Sequence, residues 1–426
     1  MEFSLIETIY KLNLLEVSIL FIVGFLIFYY SLYKGIYIII FSLVLSASLV
    51  GSTIPIVDHI AALVRWLSIF LLLAIAIQHG RWRVSLGYMM FWGYVVIGFI
   101  FLLRVINPSW QLQKSILLLI LAFAIPLAYS DEECGSLKRC IVLISVVAVI
   151  FSLLNFINLL GRFGETSRFS GFFKGAPTFS LALGGLLPFA FWGMWKADNK
   201  IIRLACGSGF LIGLVTLILS GQRTGTISGI FGIIPLLLTI RRRKFIRLSV
   251  LFIIIPIMSG YILLQHYNIG KMNFLFNRYS LKSNLSGRQA IWNDALSEIQ
   301  KNPLLGRGIG ASEMIMSYSF HNSYLEVLFN TGFFGLILFL ISQGYFMYRT
   351  IYLWRISKDP EVMSVLALAL GYMLGFIVVC IFESSGAEAS NLNLILYLFL
   401  GAVVSNNHLA NHTQFSSSGN AVLRYA

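Results

Sequence analysis

The sequence predicts an all-α polytopic membrane protein of about twelve to thirteen transmembrane helices, with one long loop outside the bilayer. Three observations carry this. The 426-residue chain is 58% hydrophobic and only 11% charged, where a soluble domain is about a quarter charged. Apolar stretches of the roughly 20 residues that a helix needs to cross a bilayer tile it nearly end to end. The net charge of +14 sits in short loops between those stretches, as the positive-inside rule expects, so it is a membrane signature and points away from nucleic acid.

Taken in order, the apolar segments lie at 14–32, 36–54, 59–78, 84–104, 112–130, 140–160, 177–196, 202–220, 225–240, 248–265, 322–347, 362–382 and 390–405. The N-terminus, MEFSLIETIYKLN, lacks a basic n-region and a small-residue cleavage site, so no cleaved signal peptide is expected. The chain divides into N-terminal transmembrane helices (1–160), a core (161–405) that includes the loop 266–321, and a polar tail (406–426) whose composition predicts disorder. Of Cys134, Cys140, Cys206 and Cys380, none falls in the long loop and none has metal-ligand spacing. No disulfide, metal site or cofactor is expected.

The basic cluster Arg241 to Arg247 fixes the orientation as cytoplasmic. Alternation then places Arg81 and Arg83, Lys138 and Arg139, Lys196, Lys200 and Arg203, and Arg349, Arg355 and Lys358 on the same side, together with the tail. Segments 105–111, 161–176, 221–224, 266–321 and 383–389 fall outside, where chemistry is expected. Within the long loop, Ile291, Trp292, Ala295, Leu296 and Ile299 share one helical face from Arg288 to Lys301, and Asn302-Pro303 ends the pattern. This predicts a short amphipathic helix at the membrane interface, anchored by Trp292.

Arg223 stands between Gly221 and Gly225 in a tight outward turn. It either reaches headgroups or grips a phosphate bidentately. Arg288 opens a helix, where a cation faces the positive dipole end. The misfit is resolved if an anion binds there, and otherwise Arg288 is an ordinary solvated residue. Arg278 and Arg307 are further candidates of this kind. His321 stands where the long loop re-enters the membrane, just before Asn322-Ser323 open an apolar helix. A lone histidine is commonly a solvated or capping residue, but the positive end of a helix disfavours an imidazolium, and a neutral imidazole is what a general base needs. Glu326, about one turn on, would orient the ring or bind a sugar. Glu383 and Glu388 are candidate bases or metal ligands or, more plainly, partners of the outward arginines. Gly306, Gly308 and Gly310 have neither a preceding strand nor a P-loop lysine, so nucleotide binding is rejected.

Four stretches together resemble the O-antigen ligase/polymerase superfamily of membrane glycosyltransferases over roughly residues 160 to 400. They are RFSGFFKGAPTFSLALGGLLPFAFW, LSGQRTGTISGIFGII, LSGRQAIWNDALSEIQKNPLLGRGIGA and HNSYLEVLFNTGFFGLILF. The resemblance implies a bacterial inner-membrane enzyme with its site facing the periplasm and a periplasmic loop at 266–321. Its donor would be a glycan on undecaprenyl pyrophosphate, and it would use neither nucleotide nor metal. Arg223 and Arg288 would hold the pyrophosphate and His321 would take the acceptor proton. Arg162, Arg168, Lys174, Arg278, Arg307, Asn322 and Glu326 would contact glycan or phosphate. Implied partners are a glycan or lipid A-core acceptor, membrane lipids, and a chain-length regulator or flippase. The S-G-R-x-x-x-W helix favours a repeat-unit polymerase; the alternative is a ligase that moves the chain to lipid A-core. A lipid-linked oligosaccharide transporter is a third reading, disfavoured because Arg65 is nearly the only mid-span charge.

Overall fold

The computed structural model describes residues 37–79, 85–100, 108–129, 134–161, 169–239, 288–316, 318–384, 391–406 and 409. Among them are thirteen helices and, apart from an isolated bridge between Ser52 and Phe173, no β-structure. In order these are α1 (Tyr37–Leu49), α2 (Pro55–His79), α3 (Leu86–Ile100), α4 (Pro108–Tyr129), α5 (Cys134–Gly161), α6 (Ala176–Lys196), α7 (Lys200–Leu219), α8 (Arg223–Thr239), α9 (Arg288–Ile299), α10 (Ala311–Met316), α11 (Ser323–Ile356), α12 (Pro360–Phe382) and α13 (Leu392–Ser405). Seven of them (α2, α4, α5, α6, α7, α11 and α12) are long and apolar enough to cross a membrane, and α1, α3, α8 and α13 are shorter apolar helices. The protein is an all-α, multi-pass membrane protein. Expected spans 14–32 and 248–265, the cluster Arg241 to Arg247, and nearly all of the tail lie outside the described residues.

Helices α6, α12 and α13 are buried along almost their whole length and form the centre of the bundle. Several of their polar side chains are paired internally, as hydrocarbon favours. Trp192 donates to Ser364 Oγ (3.2 Å), and the Tyr372 hydroxyl donates to the Asn393 carbonyl (3.0 Å). The short helix α8 packs chiefly against α12 and α6. It does so through backbone: a Cβ at Gly371 of α12 would strike the Gly232 carbonyl oxygen, and one at Gly225 would strike that of Ser180 on α6. Small residues let helix backbones approach where lipid provides no hydrophobic drive between helices. This contact fixes where Arg223, the first residue of α8, emerges.

At one end of the bundle the basic residues meet helix termini and acids. Lys138 bridges Asp198 (3.1 Å) and Glu361 (2.9 Å), and Arg349 donates to the Val404 carbonyl (2.9 Å). At the other end lie the described parts of the five segments expected outside. Lys114 pairs with Glu313 at 2.9 Å, and Thr53 donates to Phe172 O (2.5 Å).

Two differences from the sequence reading concern the long loop. The apolar face of α9 turns toward protein: Ala295 and Ile299 pack with Ala311, Phe320 and Phe329 in a small core of their own. Trp292 Nε1 donates to the Phe320 carbonyl at 2.9 Å, so it ties the helix to the following chain, while Leu296 of the same face stays exposed. In addition, α11 is not one continuous rod. Gly332 has φ 68° and ψ −171°, and the Tyr324 hydroxyl donates to Gln343 Oε1 at 2.9 Å. A continuous helix would separate those residues by about 28 Å along its axis. Ser323–Thr331 is therefore a short arm that turns sharply at Gly332 into the spanning part.

Replacing Gly371 by Val should force α12 away from α8 and destabilise the protein by about 1–3 kcal/mol. Gly344→Val, at a position open to 4 Å, should change stability by no more than about 0.5 kcal/mol. Thermal unfolding of both variants in detergent checks this; equal stability would remove the backbone-contact argument.

Candidate active site

His321, Arg288 and the N-terminus of α8 meet at the C-terminal end of α12. The meeting point is Glu383, the C-cap of that helix. Its side chain is 8% exposed, against 20% for Arg288 and 43% for His321, so the carboxylate lies inside and the two bases lie on its outer side. Arg288 Nη2 donates to Oε1 at 3.1 Å. His321 Nδ1 lies 3.2 Å from Oε2. Thr224 Oγ1, adjacent to half-buried Arg223, donates to Oε1 at 3.5 Å.

Local chain geometry explains the convergence. Asn322 caps the arm of α11 by accepting from the Leu325 amide at 3.0 Å, which starts the helix immediately after His321. His321 itself has φ 49°, a left-handed conformation that non-glycine residues seldom adopt and that histidine tolerates better than most. Ser323 Oγ donates to the Glu383 carbonyl at 2.6 Å, and Ser319 Oγ is hydrogen-bonded to Ser384 Oγ at 2.6 Å. These contacts join the chain around His321 to the chain around Glu383.

The arrangement has a definite chemical polarity. An ionised carboxylate only accepts, so a neutral imidazole facing Glu383 carries its proton on Nδ1 and leaves the Nε2 lone pair for another proton. The guanidinium beside it keeps four further N–H donors that Glu383 does not occupy. A proton acceptor and a phosphate-type donor group thus stand side by side.

The other expected site residues are distributed as follows. Arg307 Nη2 pairs with Glu298 Oε2 at 2.9 Å and lies over the Phe329 ring. Its backbone amide, with that of Gly308, donates to carbonyls of Phe329 and Asn330, and a Cβ at Gly332 would strike the Leu304 carbonyl. The NPLLGRG turn is therefore seated on the corner of α11. Glu326 is buried and accepts from Ser312 Oγ at 3.2 Å; the carboxylate on the His321 ring is that of Glu383. Lys174 pairs with Asp58 at 3.0 Å beside the Ser52–Phe173 bridge. Arg162, Arg168, Arg278 and Glu388 lie outside the described residues. Cys206 and Cys380 are buried free thiols, and Cys140 is buried as well.

Residues 208–340 match the family model described as O-antigen ligase. That region holds Arg223, Arg288, His321 and the Gly332 corner, and it stops short of Glu383. The exopolysaccharide production protein ExoQ of Rhizobium meliloti (strain 1021) is 22% identical over 296 residues, which span 63% of this chain and 67% of that protein. A chain from the structure "Structural coordination of polymerization and crosslinking by a peptidoglycan synthase complex" aligns with 77% of this chain and 98% of its own length, at 14% identity and a TM-score of 0.43. The family model and the exopolysaccharide relative support the O-antigen ligase/polymerase superfamily and, with it, an O-antigen ligase/polymerase-type membrane enzyme.

One pH effect follows from the Glu298 cluster. The hydrogen bond from Lys301, and then the charges of Lys301 and Arg307, hold the Glu298 carboxyl below the usual carboxylate range. A lowered carboxyl stabilises the fold above its ordinary titration range and loses that contribution as pH falls through the lowered value. Amide exchange at Arg307 and Gly308, taken relative to the intrinsic rate at each pH, should therefore stay slow at neutral pH and accelerate on acidification below the ordinary carboxylate range. Glu298→Gln should speed it already at pH 7; unchanged exchange in that variant would refute the pinning role.

Proposed function

We propose that this enzyme transfers a glycan from undecaprenyl pyrophosphate to an acceptor sugar hydroxyl at the periplasmic face of the bacterial inner membrane, as a polymerase of O-antigen or exopolysaccharide repeat units. The observation that carries the reading is the grouping of His321, Arg288 and the Arg223–Thr224 turn around one buried carboxylate, with all three elements inside the family-matched region. The basic end of the bundle is assigned to the cytoplasm by the positive-inside rule, which turns the site toward the periplasm.

In this mechanism Nε2 of His321 takes the proton of the acceptor hydroxyl as its oxygen attacks the anomeric carbon. The new carbon–oxygen bond forms on the face opposite the pyrophosphate, the old one breaks, and its electron pair leaves on the lipid pyrophosphate. Direct displacement inverts the anomeric centre. Arg223 and Arg288 offset the charge that grows on the leaving group, and this kind of aimed electrostatic stabilisation is usually the largest catalytic contribution. With two guanidinium groups in that role the reaction is metal-independent, and pyrophosphate leaves without a protein acid. Arg162, Arg168, Lys174 and Arg278 are assigned to glycan or phosphate contacts. Asn322, Glu326 and Arg307 are assigned to substrate contacts as well, Asn322 next to His321 and Arg307 by the corner of α11.

The relative named for exopolysaccharide production supports the polymerase reading. The family model's description supports the second one, a ligase that transfers the finished chain to lipid A-core through the same site. Purified enzyme with undecaprenyl-pyrophosphate repeat units, in the presence of EDTA, separates them. A ladder from donor alone is expected for the polymerase, and product only after addition of lipid A-core would make it a ligase. His321→Ala should lower transfer at least about 100-fold, the usual contribution of a positioned general base, while membrane insertion and donor binding persist. Transfer at the wild-type rate would eliminate the mechanism.

A further inference from the structure

We propose that Glu383 is a positioning residue that couples the two halves of the reaction, passing Arg288 to the donor pyrophosphate as His321 gains its proton. The inference rests on the roles given above to Arg288 and His321. It starts from the geometry: two oxygens of one carboxylate are divided between the two residues, Oε1 to Arg288 and Oε2 to His321.

Charge counting gives the coupling. With His321 neutral, the Glu383 carboxylate balances the Arg288 guanidinium. When Nε2 accepts the acceptor's proton, the imidazolium balances Glu383 instead, and the guanidinium charge is released. At the same moment the breaking glycosidic bond leaves its electron pair on the pyrophosphate, so negative charge grows where Arg288 is needed. The proton and the electron pair thus move in one step, and the total charge of the site and donor changes only by the proton gained. Coupling of this kind is reciprocal. Pyrophosphate that draws Arg288 away from Glu383 leaves the carboxylate's field to His321 and makes that ring a better base.

Burial and anchoring fit the role. Glu383 is the least exposed of the three, and its main chain is held by Ser323 Oγ while the adjacent Ser384 is held by Ser319. These bonds hold the chain around His321 to the chain around Glu383, so the Arg288 side chain is the partner that shifts on the outer side of a fixed carboxylate. The neighbouring Thr224 hydroxyl adds a second donor to Oε1, which keeps that oxygen partnered while Arg288 moves.

A purely structural ion pair and a coupling carboxylate predict opposite results for Glu383→Gln. Loss of a structural pair weakens donor binding along with turnover. Removal of a coupling carboxylate leaves Arg288 wholly to the donor, so binding tightens while the base weakens. The experiment titrates full-length enzyme in detergent with undecaprenyl pyrophosphate and measures turnover on the same preparations. Glu383→Gln is expected to bind about five-fold tighter, the scale of one incompletely buried ion pair, and to turn over about 100-fold more slowly. The tightening should vanish when Arg288 is already Ala, the signature of a direct pairwise coupling. If the Gln variant fails to accumulate, Glu383→Asp draws the carboxylate back by one methylene and should move both quantities in the same directions by less. Unchanged or weaker binding by these variants would overturn the coupling and leave the donor assignment standing. Absence of binding by the wild type would overturn the donor assignment, and the coupling with it.

Discussion

The carboxylate of Glu383 is the constraint on which the rest of the site depends. An ionised group at 8% exposure is tolerated only when it is paired and hydrogen-bonded, and here the partners come from three separate elements. Arg288 begins a helix of the long loop, His321 precedes the arm of α11, and Thr224 lies in the first turn of α8. Removing any one partner leaves a buried charge less well compensated, which commonly destabilises far more than the pair itself contributes. The site is thus held together by the same electrostatics that the proposed chemistry would use.

Backbone contacts carry that constraint into the bundle. The Gly371 and Gly225 contacts seat α8 between α12 and α6 at a depth that side chains would not permit. The Arg223–Thr224 turn therefore arrives at the end of α12 through rigid spans. On the other side, the NPLLGRG turn lies against the Gly332 corner, with Phe333 N donating to the Pro303 carbonyl at 2.9 Å. That contact aims the arm Ser323–Thr331 so that its first residues, and not its last, face Glu383. Two glycine-dependent approaches, one within the spans and one in the loop, set the positions of the cations.

Much of this architecture was legible in the sequence because its signals are local. Spans follow from runs of apolar residues, and every described one falls on an expected segment. The placement of His321 at the end of the polar loop, and of Arg223 and Arg288 at helix starts, follows from the same punctuation. The Gly332 corner was not legible: the apolar pattern continues across it, and a glycine with positive φ looks in sequence like any other glycine in a span. The orientation of α9 was also hidden, since an apolar face that meets Phe320 and Phe329 has the same periodicity as one that meets lipid. Glu383 was visible as an outward acid and a natural arginine partner. Its contact with His321 joins residues 62 apart, and one sequence contains no signal for which distant acid meets which base.

The location of Glu383 separates it in the chain from the residues it meets. Arg223, Arg288 and His321 lie within residues 208–340, while Glu383 lies beyond them at the end of a separate helix. The groups assigned to the reacting atoms and the group that sets their charge balance are therefore carried by different parts of the chain. A displacement of α12 along its axis would lengthen both carboxylate contacts together, since Oε1 and Oε2 belong to one rigid planar group. On the proposed roles, such a movement would alter the hold on Arg288 and the setting of His321 in concert, without any change in the matched region itself. The close backbone packing of α12 on α8 resists that displacement. On the proposed mechanism, the glycines of these spans would act on catalysis through the depth of a single carboxylate, although Gly371 and Gly232 lie well inside the spans.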